Sequence, residues 1–513
     1  MPENNSNKTI AKNSLFLYLR SFLIMAVSLY SSRIVLEALG VDDYGLYGAI
    51  GSVVAMFIML NGVLSAGTSR FLTFELGKGN NDRLKKTFSA SFALHVGLAL
   101  ILLILFETVG LWFINHKLNI PEGRNYAANV VYQLSVLTSV FSLTQVPYTA
   151  CIIAHEKMKV YAYVGIAEVT FKLILVFLLL YLPFTDNLIA YALILALWTI
   201  GLQIWYRFYC HKHFEETHLT IVKDKLVYKD MLSYSAWDFI GQFCVTGNSQ
   251  GLNILLNMFF GVTINAARAV AYQVETAINQ FSTNFLTAVN PQITKSYAQG
   301  NIDRFIELIT ESSKFSFYLL YMLSLPVFLE TPYILKIWLV EVPETSVTFL
   351  RFALFYGVFR IVTRPIVTGT HATGKIKYLN LTSGLYSACT FLTAIYIAYK
   401  LGAPYWACFI VQALNGCILT YFEIKSLHRN VTFNSIKFLT SIVIKPWIIC
   451  IIASIFPFII YKSIDESFLK LCLVTIVSLF TIPLFTYKWG LNSSQKEKIK
   501  SIIISRFHKY GKS

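Results

Sequence analysis

Gly79-Asn80-Asn81-Asp82-Arg83 and Gly300-Asn301-Ile302-Asp303-Arg304 share the pattern Gly-Asn-x-Asp-Arg at an offset of 221 residues. The same offset, with no gap between the two matches, superposes Gly40-Val41 on Gly261-Val262. Further along, an offset of 218 brings Pro147, Ala154, Lys157 and Lys159 onto Pro365, Ala372, Lys375 and Lys377. Polar loop motifs that recur in register across an otherwise apolar chain indicate an internal duplication.

The chain around these motifs has 513 residues, of which 56% are hydrophobic and 14% charged, against about 25% charged in ordinary soluble domains. It reads as a membrane protein. Apolar runs bounded by charge, Gly or Pro predict spans near 14–34, 47–67, 88–113, 127–150, 161–182, 187–207 and 233–258. Seven more fall near 264–288, 315–335, 347–369, 379–399, 403–423, 438–461 and 468–489. At roughly 20 residues per span these use about 280 residues, which leaves too little chain for a folded aqueous domain and excludes a soluble multidomain enzyme. Six spans separate equivalent motif positions, and an even number returns the chain to the same side of the bilayer. The repeats are therefore parallel, related by an axis along the membrane normal. The expected architecture is an all-α polytopic membrane protein of about 14 transmembrane helices, with two parallel six-helix repeats around a central cavity and two C-terminal helices. The expected boundaries are a cytoplasmic tail 1–13, an N-terminal lobe 14–207, a cytoplasmic linker 208–232, a C-terminal lobe 233–423, two further spans in 424–489 and a basic amphipathic tail 490–513.

The 43 Lys and Arg exceed the 27 Asp and Glu, for a net charge of +16. In a soluble chain this would raise the question of nucleic acid; here position answers it. Arg70, Lys78, Arg83, Lys85, Lys86, Lys157, Lys159, Lys223, Lys225, Lys295, Arg304, Lys375, Lys377, Lys425 and Arg429 all fall on one predicted face, with both termini. That face is expected to be cytoplasmic, where the charge sets topology and attracts anionic lipid. In the tail, Ile499, Ile502, Ile503, Phe507 and Tyr510 share a helical face among lysines, a pattern suited to the membrane surface. The eight cysteines form neither a disulfide framework nor a metal spacing, and the first apolar run lacks a cleavage site, so it reads as an uncleaved span.

Polar residues inside spans should face a cavity or another helix, because a charge facing lipid costs roughly 2.5–3.5 kcal/mol on insertion scales. On span 7, Asp238, Gln242, Thr246, Ser249 and Asn253 form one helical stripe. On span 8 a second stripe comprises Arg268, Tyr272, Glu275, Thr276, Asn279, Thr283 and Asn290. Both can line an aqueous cavity, with Arg268 as an anion contact and the amides and hydroxyls serving a polyhydroxylated ligand; the competing role is hydrogen bonding between helices. Arg20, two turns inside span 1, can meet an anion or snorkel to headgroups. Arg360 and Arg364 on span 10 are four residues apart and can together meet a phosphate, with snorkelling again the alternative for Arg364. Glu168 and Lys172 on span 5 have the order of an intrahelical ion pair or, alternatively, of an ion relay to which Asp238 would also belong. Gly247 and Gly251 permit close helix packing or a bend, and Pro365 can kink its helix or, close to an end, simply terminate it. There is no Walker A sequence and no His-Glu-x-x-His. The expected external loops are too short for a catalytic domain, so a transporter is expected rather than an enzyme, and no cofactor is implied.

Arg33 through Leu39-Gly40-x-x-x-Tyr44-Gly45-x-Tyr47, the Arg70 region, Pro147 with Lys157-x-Lys159, and Pro291 through Ser296-x-Ala298-x-Gly300 resemble the bacterial polysaccharide flippases. These O-antigen or exopolysaccharide repeat-unit translocases belong to the multidrug/oligosaccharidyl-lipid/polysaccharide exporter superfamily. The resemblance runs over nearly the whole chain through diffuse motifs, mostly at span ends. It implies a V-shaped pair of six-helix lobes that carry an undecaprenyl-diphosphate-linked oligosaccharide across a bacterial inner membrane for surface polysaccharide biosynthesis. It also implies a cationic cavity lined by spans 1, 2, 7 and 8, in which Arg20 and Arg268 occupy suitable positions without matching a fixed motif. Implied partners are the lipid-linked glycan, membrane lipids, a proton or sodium counter-ion and a glycan polymerase or ligase; nucleic acid is not among them. The extrusion branch of the superfamily relies on membrane acids, whereas span 1 here has Arg20 and no acid before Glu37, which favours an anionic substrate. The alternatives are a proton- or sodium-coupled multidrug antiporter and a non-transporting member of a glycan assembly complex.

Overall fold

A computed structural model describes most of residues 64–497 and scattered positions from 13 to 54, with short breaks near 117–121, 182–183 and 339–344. Expectations for span 2 beyond those positions and for the amphipathic tail from 498 on lie outside the described residues. The described chain is helical, with no strand among the described residues. Its main helices are α1 (Asn81–His116), α2 (Asn125–Ala154), α3 (Met158–Tyr181), α4 (Asn187–His213) and α5 (Lys225–Ala298). They continue with α6 (Ile302–Leu329), α7 (Thr331–Trp338), α8 (Ser346–Ile361), α9 (Arg364–Thr373), α10 (Lys377–Lys400), α11 (Ala407–Asn430), α12 (Ser435–Ser463) and α13 (Phe468–Gly490). Among the described residues nine helices are long and apolar enough to cross a bilayer, or ten if α8 and α9 count as one bent span. The protein is a polytopic all-α membrane protein. Its outward faces carry exposed Leu100, Ile101, Ile104, Ile451, Ile455, Phe456 and Phe480, a surface suited to lipid rather than water.

The duplicated motif builds the same turn twice. Gly79 and Gly300 take left-handed φ values of 69° and 74°, which glycine adopts without steric penalty. Gly79 N–H donates to the Leu76 carbonyl at 3.2 Å and Asn80 N–H to Glu75 at 3.4 Å; Gly300 and Asn301 repeat the pattern on Tyr297 and Ser296, both at 3.0 Å. The side chains of Asn80 and Asn301 then cap the next helix, accepting from the amides of Arg83 at 3.0 Å and Arg304 at 3.1 Å. The second motif pair is also conformationally matched. Glu156, after α2, and Gly374, after α9, have φ values of 59° and 77°.

The chain divides into two compact units, the first Leu15–Phe239 and the second running from Ile240 onward. In the first, α1, α2 and α4 pack together around Phe106, Val131, Tyr132 and Leu143. A π-helical turn at Phe106–Gly110 interrupts α1, and the Tyr132 hydroxyl donates to the Phe106 carbonyl at 2.7 Å, supplying a partner where the regular ladder shifts. In the second, α6 is central. Phe305 and Phe317 share a core with Ile442, Cys450 and Ala453 of α12 and Ile482 of α13, so the last two helices are integral to that unit.

Two details sharpen the sequence reading. Spans 7 and 8 follow one another without an intervening loop in one helical stretch, α5, and Arg268 Nη1 donates to the Ser249 carbonyl at 3.4 Å and to the Asn253 side chain. A straight helix would put those residues about 22–28 Å away at 1.5 Å per residue, so α5 folds back on itself between Asn253 and Arg268. Of the two readings of Pro365, a kink and a helix end, the structure favours the kink. Pro365 stands in the first turn of α9, following a 40° bend after α8, where a missing amide hydrogen is tolerated.

Candidate functional site

Within the second unit, the fold-back of α5 presents Arg268, Tyr272 and Glu275 at i, i+4 and i+7 on one helical face. With Tyr356 of α8 and Phe409 and Gln412 of α11 they line a small pocket of about 50 Å³, open on one side. Its walls combine aromatic and apolar side chains with the convergent polar groups of Arg268, Glu275 and Gln412. Arg268 is held by Asn253 and by the Ser249 carbonyl. Two members of the span 7 stripe thus orient the arginine of the span 8 stripe.

The polar surface continues beyond the pocket. Asn279 Nδ2 donates to Glu275 Oε1 at 3.2 Å. The α8 backbone at Gly357 packs beside that pair, at ordinary van der Waals distance from both side chains. One turn further on α8, Arg360 donates to both carboxylate oxygens of Glu423 on α11, at 2.6 and 3.1 Å, and to Thr420 at 3.2 Å. This two-pronged geometry is the strongest form of an arginine–carboxylate contact. Gly416 of α11 packs beside it, where an added Cβ would crowd the Tyr356 ring at 3.1 Å. Arg364 lies past the bend, exposed, in the electrostatic neighbourhood of Arg360, Glu423 and Glu275. Three arginines and two carboxylates therefore share this region of the second unit.

Of the residues singled out from sequence, Arg268, Tyr272 and Glu275 line the pocket, and Asn253 and Asn279 support it. Gln242 is exposed on α5 and lines no wall of that pocket. Arg360 and Arg364 do not stand as an equivalent pair, because Arg360 is engaged by Glu423. Glu423 was missed. Its signal was a lone acid in the last turns of an apolar run, which needs a partner at membrane depth.

Of the remaining candidates, Arg20, Glu168, Lys172 and Asp238 belong to the first unit, and Gly247 and Gly251 to the second. Arg20 lies over the Tyr161 ring at 4.4 Å and against Gly165, and its Nε is buried without a hydrogen-bond partner among the described residues. Glu168 and Lys172 form an intrahelical ion pair at 3.3 Å, both about half exposed. Asp238 is buried, and Tyr234, one turn before it, lies beneath Arg70 at 5.6 Å. Of Gly247 and Gly251, only Gly251 sits in close packing, beside Leu392 of α10; Gly247 faces open space.

No family model matches the chain, and no curated protein matches it in sequence. Solved structures do match. An outward-facing multidrug resistance MATE family transporter of the MOP superfamily is 14% identical, with 83% of this chain and 97% of that chain covered at a TM-score of 0.65. A MOP superfamily transporter from Pyrococcus furiosus Vc1 (DSM3638), described as having a binding pocket of reverse polarity that suggests a different function, is 14% identical, covers 82% and 97%, and scores 0.66. A Vibrio cholerae MATE transporter in the bent form is 16% identical, covers 83% and 99%, and scores 0.64. At these identities the likeness establishes the fold. This chain has the MATE-like architecture of the MOP superfamily transporters.

Proposed function

We propose that this protein is a transporter that moves an undecaprenyl-diphosphate-linked oligosaccharide from the cytoplasmic to the outer leaflet of a bacterial inner membrane. The lobes 14–207 and 233–423 would rock against each other in alternating access, with both termini cytoplasmic and a glycan polymerase or ligase as partner. The observation that carries this reading is the arginine excess around the Arg268 pocket, where amides and hydroxyls suited to a glycan stand beside charge suited to a diphosphate. Energetics favour the direction. A diphosphate bears about two negative charges, and each is worth about 2.3 kcal/mol per 100 mV, so an inside-negative potential assists export by about 4–5 kcal/mol.

A cation-coupled multidrug antiporter is the second reading, favoured by the solved MATE structures that share the fold and by Glu275 in the pocket wall. Proteoliposomes separate the two. Under an inside-negative potential, labelled lipid-linked glycan should change leaflet in protein-containing vesicles. Cationic dye should not be driven by a proton or sodium gradient. Gradient-driven dye movement without glycan transfer would replace the flippase reading with the antiporter.

A further inference from the structure

We propose that Cys151, His155 and Glu216 of the first unit bind a zinc ion that fastens the segment Glu215–Thr217 to the end of α2. Cys151 Sγ, His155 Nε2 and Glu216 Oε1 all lie within 4.8 Å of one another. Tetrahedral zinc, with bonds of about 2.3 Å to sulfur and 2.0–2.2 Å to nitrogen and oxygen, sets neighbouring ligand atoms about 3.3–3.7 Å apart. The Cys151–Glu216 contact already measures 3.3 Å, and the 2.5 Å His155–Glu216 contact has to open by about 1 Å.

The surroundings prearrange these atoms. Cys151 and His155 are one turn apart, on the same side of α2 and its C-cap. The His155 ring is fixed by stacking on Phe214 at 4.3 Å. Glu216 sits in a short 3-10 turn whose downstream segment is pinned by Thr220 N–H donating to Ser89 Oγ at 3.0 Å. Glu216 is 8% exposed and Cys151 1%, so the charge they present must be balanced locally.

A zinc dication with one thiolate and one carboxylate is electrically neutral. On binding, the Cys151 thiol gives its proton to solvent and forms the Zn–S bond. His155 binds as neutral imidazole through Nε2, surrendering any proton shared with Glu216. Glu216 supplies one oxygen, and water takes the fourth position, as in three-ligand zinc sites. Two ligands four residues apart with the third some sixty residues away form no recognised sequence spacing; the fold assembles them.

The test uses the full chain in detergent micelles, stripped with a chelator and titrated with Co²⁺ and then Zn²⁺. A thiolate-to-cobalt charge-transfer band is expected, saturating at one ion per chain and bleached by zinc. Cys151→Ser should abolish the band, and His155→Ala should weaken binding at least about tenfold. His213→Ala, exposed on a neighbouring turn, should leave both unchanged. Glu216→Gln keeps an acceptor for both neighbours while losing the charge, and it too should weaken the ion. Zinc should slow proteolysis at Lys223 and Lys225 in the wild type and not in Cys151→Ser. No band in the wild type, a band that persists in Cys151→Ser, or zinc-independent proteolysis would reduce the cluster to a hydrogen-bonded clasp.

Discussion

In the first unit the charged groups at membrane depth are held singly or locally: Arg20 lies on the face of Tyr161, and Glu168 pairs with Lys172 four residues along the same helix. In the second unit Arg268 meets Asn253 across the fold-back of α5, Glu275 pairs with Asn279 one turn along the same helix, and Arg360 of α8 is joined to Glu423 of α11. The difference is one of commitment. A cation over an aromatic face can leave it at a cost of about 0.5–2 kcal/mol, whereas a two-pronged buried pair cannot lose a partner without stranding a charge. The second unit therefore carries the charge arrangement that is costly to disturb, and the first carries charge that can be redeployed.

The sharpest way to break this comparison is Glu423→Gln. It strands Arg360, and unfolding in micelles should show a loss of about 3–5 kcal/mol, the range for breaking a buried pair. Adding Arg360→Met should recover most of it. If Glu423→Gln is silent, the network does not brace the second unit.

Arg268→Ala comes next. Glycan transfer in proteoliposomes should fall about tenfold or more, the scale of one lost charge-assisted hydrogen bond of about 1.5–3 kcal/mol, with unfolding little changed. Arg268→Lys, which keeps charge and loses the planar fork, should fall between. The same assay on Arg20→Ala should show a smaller loss; a larger one would move the anion contact to the first unit.

The matched turns offer a comparison between repeats. At Gly374 an alanine should destabilise by about 1–2 kcal/mol, because its φ of 77° suits only glycine comfortably. Glu156→Gly relieves the equivalent strain at φ 59° and should stabilise by up to about 1 kcal/mol. Opposite signs from thermal unfolding would show that the two turns are energetic as well as geometric equivalents.

The smallest effect is expected at Glu168→Gln, about 0.5 kcal/mol for an exposed i,i+4 pair, with transport unchanged. A marked drop in flux at unchanged stability would instead revive the ion-relay reading of Glu168 and Lys172.

Local patterning made the helices, the duplicated turns and the membrane character legible from sequence. Each depends on residues within a few positions of one another: a glycine at a left-handed φ, an asparagine three residues before the amide it caps, an apolar run about 20 residues long. The stripe on α5 was legible for the same reason, since helical period alone puts Arg268, Tyr272 and Glu275 on one face. The partners of those residues were not. Glu423 meets Arg360 across 63 residues, and Glu216 meets Cys151 across 65. Whether Gln242 or Asn253 turns toward Arg268 depends on where α5 folds back. Such pairings are set by helix packing and chain reversal, which periodicity does not encode. The sequence by itself therefore determined which faces are polar, and only the tertiary structure decided which polar groups meet.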